Sequence, residues 1–227
     1  MRQFVLTITV LVVAAGTSPC DAQKAHELSG SRTTGIPLVN FSSDDGTGYG
    51  LRVNHFEYDG TSVPYRRKYS AQAFITTGGK WVHRLLVDAP QFWPGQRLEA
   101  ELVYQKEDFA NYYGNLSDEE ADSYSKDQKT FRQAFPEFRI KWIGALRLPW
   151  RVRVGGRLSR NDITPNSSTG SVLADLAPLG ADGGFFAQVH GSLRYDSRDN
   201  YNNATSGVLE ELLVDFGVGG GGDYHGT

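Results

Sequence analysis

From Leu38 onward the chain alternates apolar and polar residues with a period of two, in run after run. Only a β-strand places successive side chains on opposite faces, so this pattern rules out a helical fold. "GYGLRVNHFEY" sets Tyr49, Leu51 and Val53 against Gly50, Arg52 and Asn54. "RKYSAQAFIT" sets Tyr69, Ala71, Ala73 and Ile75 against Lys68, Ser70, Gln72 and Thr76. "QRLEAELVYQKE" sets Leu98, Ala100, Leu102 and Tyr104 against Arg97, Glu99, Glu101 and Gln105. "PEFRIKWIGAL", "PWRVRVGGRLSR", "FFAQVHGSLRYD" and "LEELLVDF" repeat the arrangement. With "LVNFS" and "KWVHRLLVDA" this makes about nine strands.

Most of these runs extend over about 9–12 residues, against about 5–6 for a typical globular strand. A tilted strand crossing a bilayer needs about 9–11. Aromatic residues gather near strand ends, among them Tyr49, Phe56, Tyr58, Trp81, Phe92, Trp93, Tyr104, Trp142, Trp150 and Tyr195. Aromatic girdles of a membrane barrel occupy such positions. The pattern therefore predicts an all-β, antiparallel transmembrane β-barrel wall over residues 38–217. A soluble sandwich or lipocalin-like barrel also alternates, because one face packs on a core, and stays open as the rival architecture.

Connections of two kinds follow the later strands. Long polar stretches at about 106–132 and 160–184 bracket a very short link at Leu148 and Pro149. Long outer loops alternating with short inner turns fit an outer-membrane barrel. "SSDDGT" and "TTGGK" are short where that rule would place outer loops.

Residues 1–23 form a signal peptide: Arg2 supplies charge, Phe4 to Gly16 is apolar, and "TSPCDAQ" offers cleavage after Ala22 or Gln23. Cys20 is the only cysteine, so no intrachain disulfide is available, and Pro19 beside it disfavours lipidation. Residues 24–37 are polar and small, an N-terminal lead-in; residues 218–227 form a Gly-rich end. Mean hydropathy is −0.41, which suits a barrel whose water-facing residues dilute its apolar ones. Net charge is −3, so nucleic acid is not an expected partner.

No catalytic or cofactor signature emerges, and no enzymatic role or cofactor is expected. There is no G-x-S-x-G elbow and no H-E-x-x-H, and the five histidines fall in separate segments without ligand spacing. "SSDDGTGYG" lacks the regular Asp ladder of a calcium loop and the Lys of a phosphate loop. "SDEEADSYSKD" suits a solvated outer loop, and "GVGGGGDY" lacks the Lys-Ser/Thr of a phosphate loop. One constellation stands out. Arg139, Lys141, Arg151, Arg153 and Arg157 share the polar side of two consecutive strands, and Arg194 joins them from a third. They are the candidate basic stripe of a lumen: an electrostatic track for an anionic or unfolded polypeptide, or simply a wet interior with partner charges.

"YDSRDNYNNATSG", from Tyr195 to Gly207, resembles a signature of the bacterial surface antigen superfamily, the BamA/TamA-type outer-membrane barrels. That signature runs Y-D-x-R-D/N, with a Pro and a Gly before the next strand. Tyr195, Asp196, Arg198, Asp199, Asn200, Thr205, Ser206 and Gly207 follow it in order, with Ala204 standing where Pro is usual. The opening "IPLVNFSSDDGTGYGLR", Ile36 to Arg52, is similar to openings in the same group. The resemblance implies a tight periplasmic turn between neighbouring strands. There Asp196 and Arg198 would bond backbone groups and each other, and Gly207 would supply the free dihedral.

The resemblance further implies residence in the bacterial outer membrane, contact with its lipid, and unfolded outer-membrane or secreted proteins as clients. Barrels of this group have about sixteen strands, with a later V/I-R-G-F loop and a terminal aromatic. Neither feature occurs here, so the expectation is an N-terminal half of a longer barrel; a small barrel closed by eight strands is the alternative. Two other functions remain open: a passive outer-membrane pore with a basic lumen, and a soluble exported barrel that binds an apolar ligand.

Overall fold

A computed structural model describes residues 29–147, 149–199, 205–221 and 224–226. The expected signal peptide, residues 1–23, and the start of the lead-in lie outside the described residues, as does Asn200. One sheet holds ten strands in sequential order, each antiparallel to the next. They are β1 (Ser29–Ser42), β2 (Gly46–Asp59), β3 (Arg67–Thr76), β4 (Lys80–Trp93) and β5 (Gln96–Asn111). Then follow β6 (Thr130–Arg147), β7 (Trp150–Pro165), β8 (Gly184–Asp196), β9 (Leu209–Gly221) and the short β10 (Tyr224–Gly226). Among the described residues the sheet is open, with β1 and β10 at its edges, an arc of a barrel wall.

Register turns the period-two pattern into continuous rows. Val53, Ala71, Leu85, Leu102, Phe138, Leu158, Ala187 and Val218 are successive cross-strand partners from β2 to β9. One residue along each strand, the row turns mostly polar. Asn54, Ser70, Leu86, Glu101, Arg139, Arg157, Gln188 and Gly217 pair in the same way on the opposite face.

The apolar rows are the exposed ones: Leu85, Leu102 and Leu158 keep about half their surface, and Val189, Leu212, Val214 and Phe216 more. Among the described residues the buried apolar ones amount to Ala89, Val103, Ala110, Val172 and Leu173, while Asn54, Asp88, Glu137, Ser159 and Ser192 are among the buried polar ones. A soluble lipocalin-like barrel would put its apolar rows inside. Here they face outward, an arrangement stable only against hydrocarbon.

Two boundaries differ from the sequence reading. The lead-in of residues 24–37 is strand from Ser29, because β2 supplies a complete ladder: Ser29 pairs with Asp59 and Pro37 with Leu51. At the other end β9 runs on to Gly221, so the Gly-rich end starts as strand and β10 pairs back onto it. Backbone hydrogen bonds need no side chain, so polar and glycine-rich segments extend a ladder without any alternation to announce them.

Glycines permit close approach where an inner side chain crosses a neighbouring strand. The imidazole of His190 occupies the space a Cβ on Gly155 would take, and the ring of Phe74 does the same over Gly48.

The long loops carry three short helices. α1 (Asp118–Asp122) and α2 (Lys126–Lys129) lie between β5 and β6, each opened by a capping box, Ser117 with Glu120 and Ser125 with Gln128. α3 (Val172–Leu176) lies between β7 and β8 and buries Val172 and Leu173. Asn166 ties the loops together: its Nδ2 donates to the Asp108 carbonyl at 2.8 Å and to Thr130 Oγ1 at 3.0 Å. Both long loops sit at one end of the sheet; the turn at 94–95 and Pro149 sit at the other.

If the outward rows meet lipid, Leu102→Arg lowers stability in bilayers by about 2–4 kcal/mol. Urea unfolding of the liposome-folded chain measures it, and an unchanged midpoint counts against the assigned face.

Candidate functional site

The inner face is a lattice of opposite charges whose members sit two residues apart on each strand and opposite one another across strands. Arg97 grips Asp88 with two bonds, Nε to Oδ1 at 2.8 Å and Nη2 to Oδ2 at 2.7 Å. Its Nη2 also reaches Glu99 at 3.4 Å, and Lys141 Nζ donates to Glu99 at 2.7 Å. Arg139 and Arg84 share Glu101, at 3.4 and 3.6 Å. Glu137 is fully buried and bonds both Arg139 and Arg157. Arg157 also lies against two rings, Phe135 at 5.9 Å and Phe186 at 5.7 Å. Further along, Arg153 meets Glu211 at 3.2 Å, and Ser192 Oγ donates to the same carboxylate at 2.6 Å.

All six residues of the candidate basic stripe thus lie on one face, on β6, β7 and β8. Carboxylates interleave with Arg139, Lys141, Arg153, Arg157 and Arg194, so the face is a mixed lattice rather than a bare cationic strip. Arg151 differs: among the described residues it has no carboxylate partner. Exposed pairs of this kind contribute little stability each, about 0–1 kcal/mol. Glu137 is the exception, because burial makes its removal leave two guanidinium groups facing a void.

The segment between β2 and β3 folds inward over one end of this face. Tyr65 donates its hydroxyl hydrogen bond to Asp88 at 2.6 Å, and its ring lies 5.4 Å from that of Phe56. Burial, and then the bond to Asp88, push the Tyr65 hydroxyl well above its ordinary value near 10. Asp88 is thereby held from both sides, by a phenol and a guanidinium.

The signature turn joins β8 to β9. Asp196 Oδ1 accepts from Arg198 Nε at 2.8 Å, and Oδ2 accepts from Arg198 Nη2 and from Arg194 Nη2, both at 3.0 Å. Asp196 Oδ1 also takes the Arg198 backbone N–H at 3.4 Å. Asp199 Oδ1 accepts the backbone N–H groups of Thr205 at 3.0 Å and Ser206 at 3.2 Å. Gly207 has φ +91°, and a Cβ there would collide with the Ser197 carbonyl, so the turn requires glycine. Tyr195 packs edge-on against Trp150, ring centroids 5.0 Å apart, on the outward side of the same turn. Its sides are tied to backbone at Pro149, whose carbonyl accepts from Asp196 N at 3.1 Å.

Several residues of the lattice escaped the sequence reading. Glu137 had a signal, since it shares parity with Arg139 and Lys141 on β6. Asp88 shares parity with Arg84 on β4 in the same way. Tyr65 had none; it lies in an irregular segment, and its partner is 23 residues away.

Two substitutions test this geometry. Glu137→Leu is expected to cost about 1.5–3 kcal/mol in urea unfolding, and adding Arg157→Leu to recover part of the loss. The pH dependence has a definite sign: a tyrosine whose pKa is raised by folding contributes stability that is whole below the unfolded value, about 10, and drains as pH rises beyond it. Tyrosinate absorbance of the folded chain minus that of Tyr65→Phe is therefore expected to show a transition later than the bulk tyrosines.

A family model described as the Omp85 superfamily domain matches residues 87–226. The matched region runs from β4 through β10 and includes most of the lattice and the whole signature turn. It is consistent with the bacterial surface antigen resemblance carried by that turn. Neither a curated protein nor a solved structure matches the chain.

Proposed function

The chain belongs to the Omp85 superfamily, and from that membership we propose that it serves the insertion or translocation of proteins at the bacterial outer membrane, as the BamA/TamA group does. The observation that carries this reading is the sidedness of the matched strands. Apolar rows run outward through Leu102, Phe138 and Leu158, while charged rows run inward through Glu101, Arg139 and Arg157. A wall of this kind suits residence in lipid and offers a passing unfolded chain a wet surface of both charge signs.

Its clients on this reading are unfolded outer-membrane or secreted proteins. The role calls for no bond-making chemistry, only for a water-lined surface set against hydrocarbon. A passive anion-selective pore gains less support, because carboxylates neutralise most of the arginines on the inner face.

The test is reconstitution. The folded chain in liposomes is expected to accelerate folding of a urea-unfolded outer-membrane barrel protein, read as its heat-modifiable gel migration. Equal folding rates in loaded and empty liposomes would overturn the proposal.

A further inference from the structure

At the short-turn end of the inner face lies a cavity of about 560 Å³. Four arginines line it, Arg97 from β5, Arg151 and Arg153 from β7, and Arg194 from β8; Val63 and Pro64 of the inward-folded segment supply an apolar side. Its size is that of a small-ligand site, large enough for a few residues of an extended chain.

Two features of its charge favour an anionic ligand. Arg151 and Arg194 are direct cross-strand partners, a like-charge pairing that destabilises a sheet. Arg194 has Asp196, which Arg198 also engages, whereas Arg151 has no carboxylate among the described residues. Beside them Arg153 meets Glu211 through Nη1 at 3.2 Å. A guanidinium with no carboxylate among the described residues, next to a second that shares its carboxylate with Ser192, is complementary to an incoming carboxylate.

We propose that this cavity is a receptor for an acidic, extended polypeptide segment, with its carboxylates held by Arg151 and Arg153 and its apolar neighbours against Val63 and Pro64. The cavity opens on the water-facing wall, away from the outward apolar rows, which favours a peptide over a lipid as the source of the carboxylate. The site deepens the proposed function by naming a feature of the client, and it rests on that reading.

The experiment uses the full chain folded in zwitterionic detergent and fluorescence anisotropy of labelled peptides. An alternating Glu-Val peptide is expected to bind, more weakly as salt rises. Gln-Val and Lys-Val peptides are expected not to. Arg151→Gln should weaken Glu-Val binding about tenfold, the loss of one charge-assisted contact. Arg151→Lys should recover part of it, and Arg160→Gln, on an exposed residue paired with Asp162, should leave it unchanged.

Equal binding of the Gln-Val peptide overturns the proposal, as does an unaltered affinity in Arg151→Gln. Displacement of the Glu-Val peptide by millimolar inorganic phosphate or by phosphatidylglycerol vesicles as readily as by unlabelled Glu-Val would mean a general anion site and also overturns it. Gel migration of each variant verifies folding. Failure here with client folding still accelerated removes only the site. Peptide binding without accelerated folding removes the functional reading and leaves the site.

Discussion

Everything in this molecule depends on antiparallel register. The ladder between neighbouring strands aligns residues of like parity, so a binary pattern in one dimension becomes two surfaces in three. A slip of one residue between β5 and β6 would set Leu102 opposite Arg139 and carry charge to the lipid side. In lipid that error is prohibitive, since a charge in hydrocarbon costs several kcal/mol and an unpaired backbone group nearly as much. The apolar rows select the solvent, and the solvent in turn enforces the register.

The inner face meets a different requirement. Charges brought together on a concave wall must be compensated locally, because neighbouring strands exclude part of the water that would screen them. Glu137 illustrates the solution. It is buried on β6 between Arg139 of its own strand and Arg157 of β7, and Arg157 is further covered by the rings of Phe135 and Phe186. Asp88 is treated similarly, with Arg97 on one side and Tyr65 on the other. The result joins β4 through β9 by side chains as well as by backbone.

Parity is legible in a sequence; partnership is not. Arg139, Lys141 and Arg157 could be assigned to the polar side because alternation alone decides it. That Arg157 meets Glu137, 20 residues earlier, depends on hairpin register and on the long loops between strands. The same limit explains β1, where "SGSRTTGIP" has no alternation to detect and becomes strand because β2 pairs with it. The helices α1 and α2 were legible in principle, since "SDEE" and "SKDQ" are capping boxes, yet a run of acidic residues drew attention to solvation instead. The turn from Tyr195 to Gly207 was the most legible site, because its bonds are local: Asp196 to Arg198, and Asp199 to Thr205 and Ser206.

Between β8 and β9 the inner wall thins. Gly217 and Gly219 present no side chains there, and a Cβ on Gly217 would stand only 3.0 Å from the ring of Phe186. Glycine at 217 therefore leaves the space that this ring uses against bare backbone. Any larger residue at 217 would contend with that ring for the same volume, so packing between the last two long strands hangs on the smallest residue meeting one of the bulkiest.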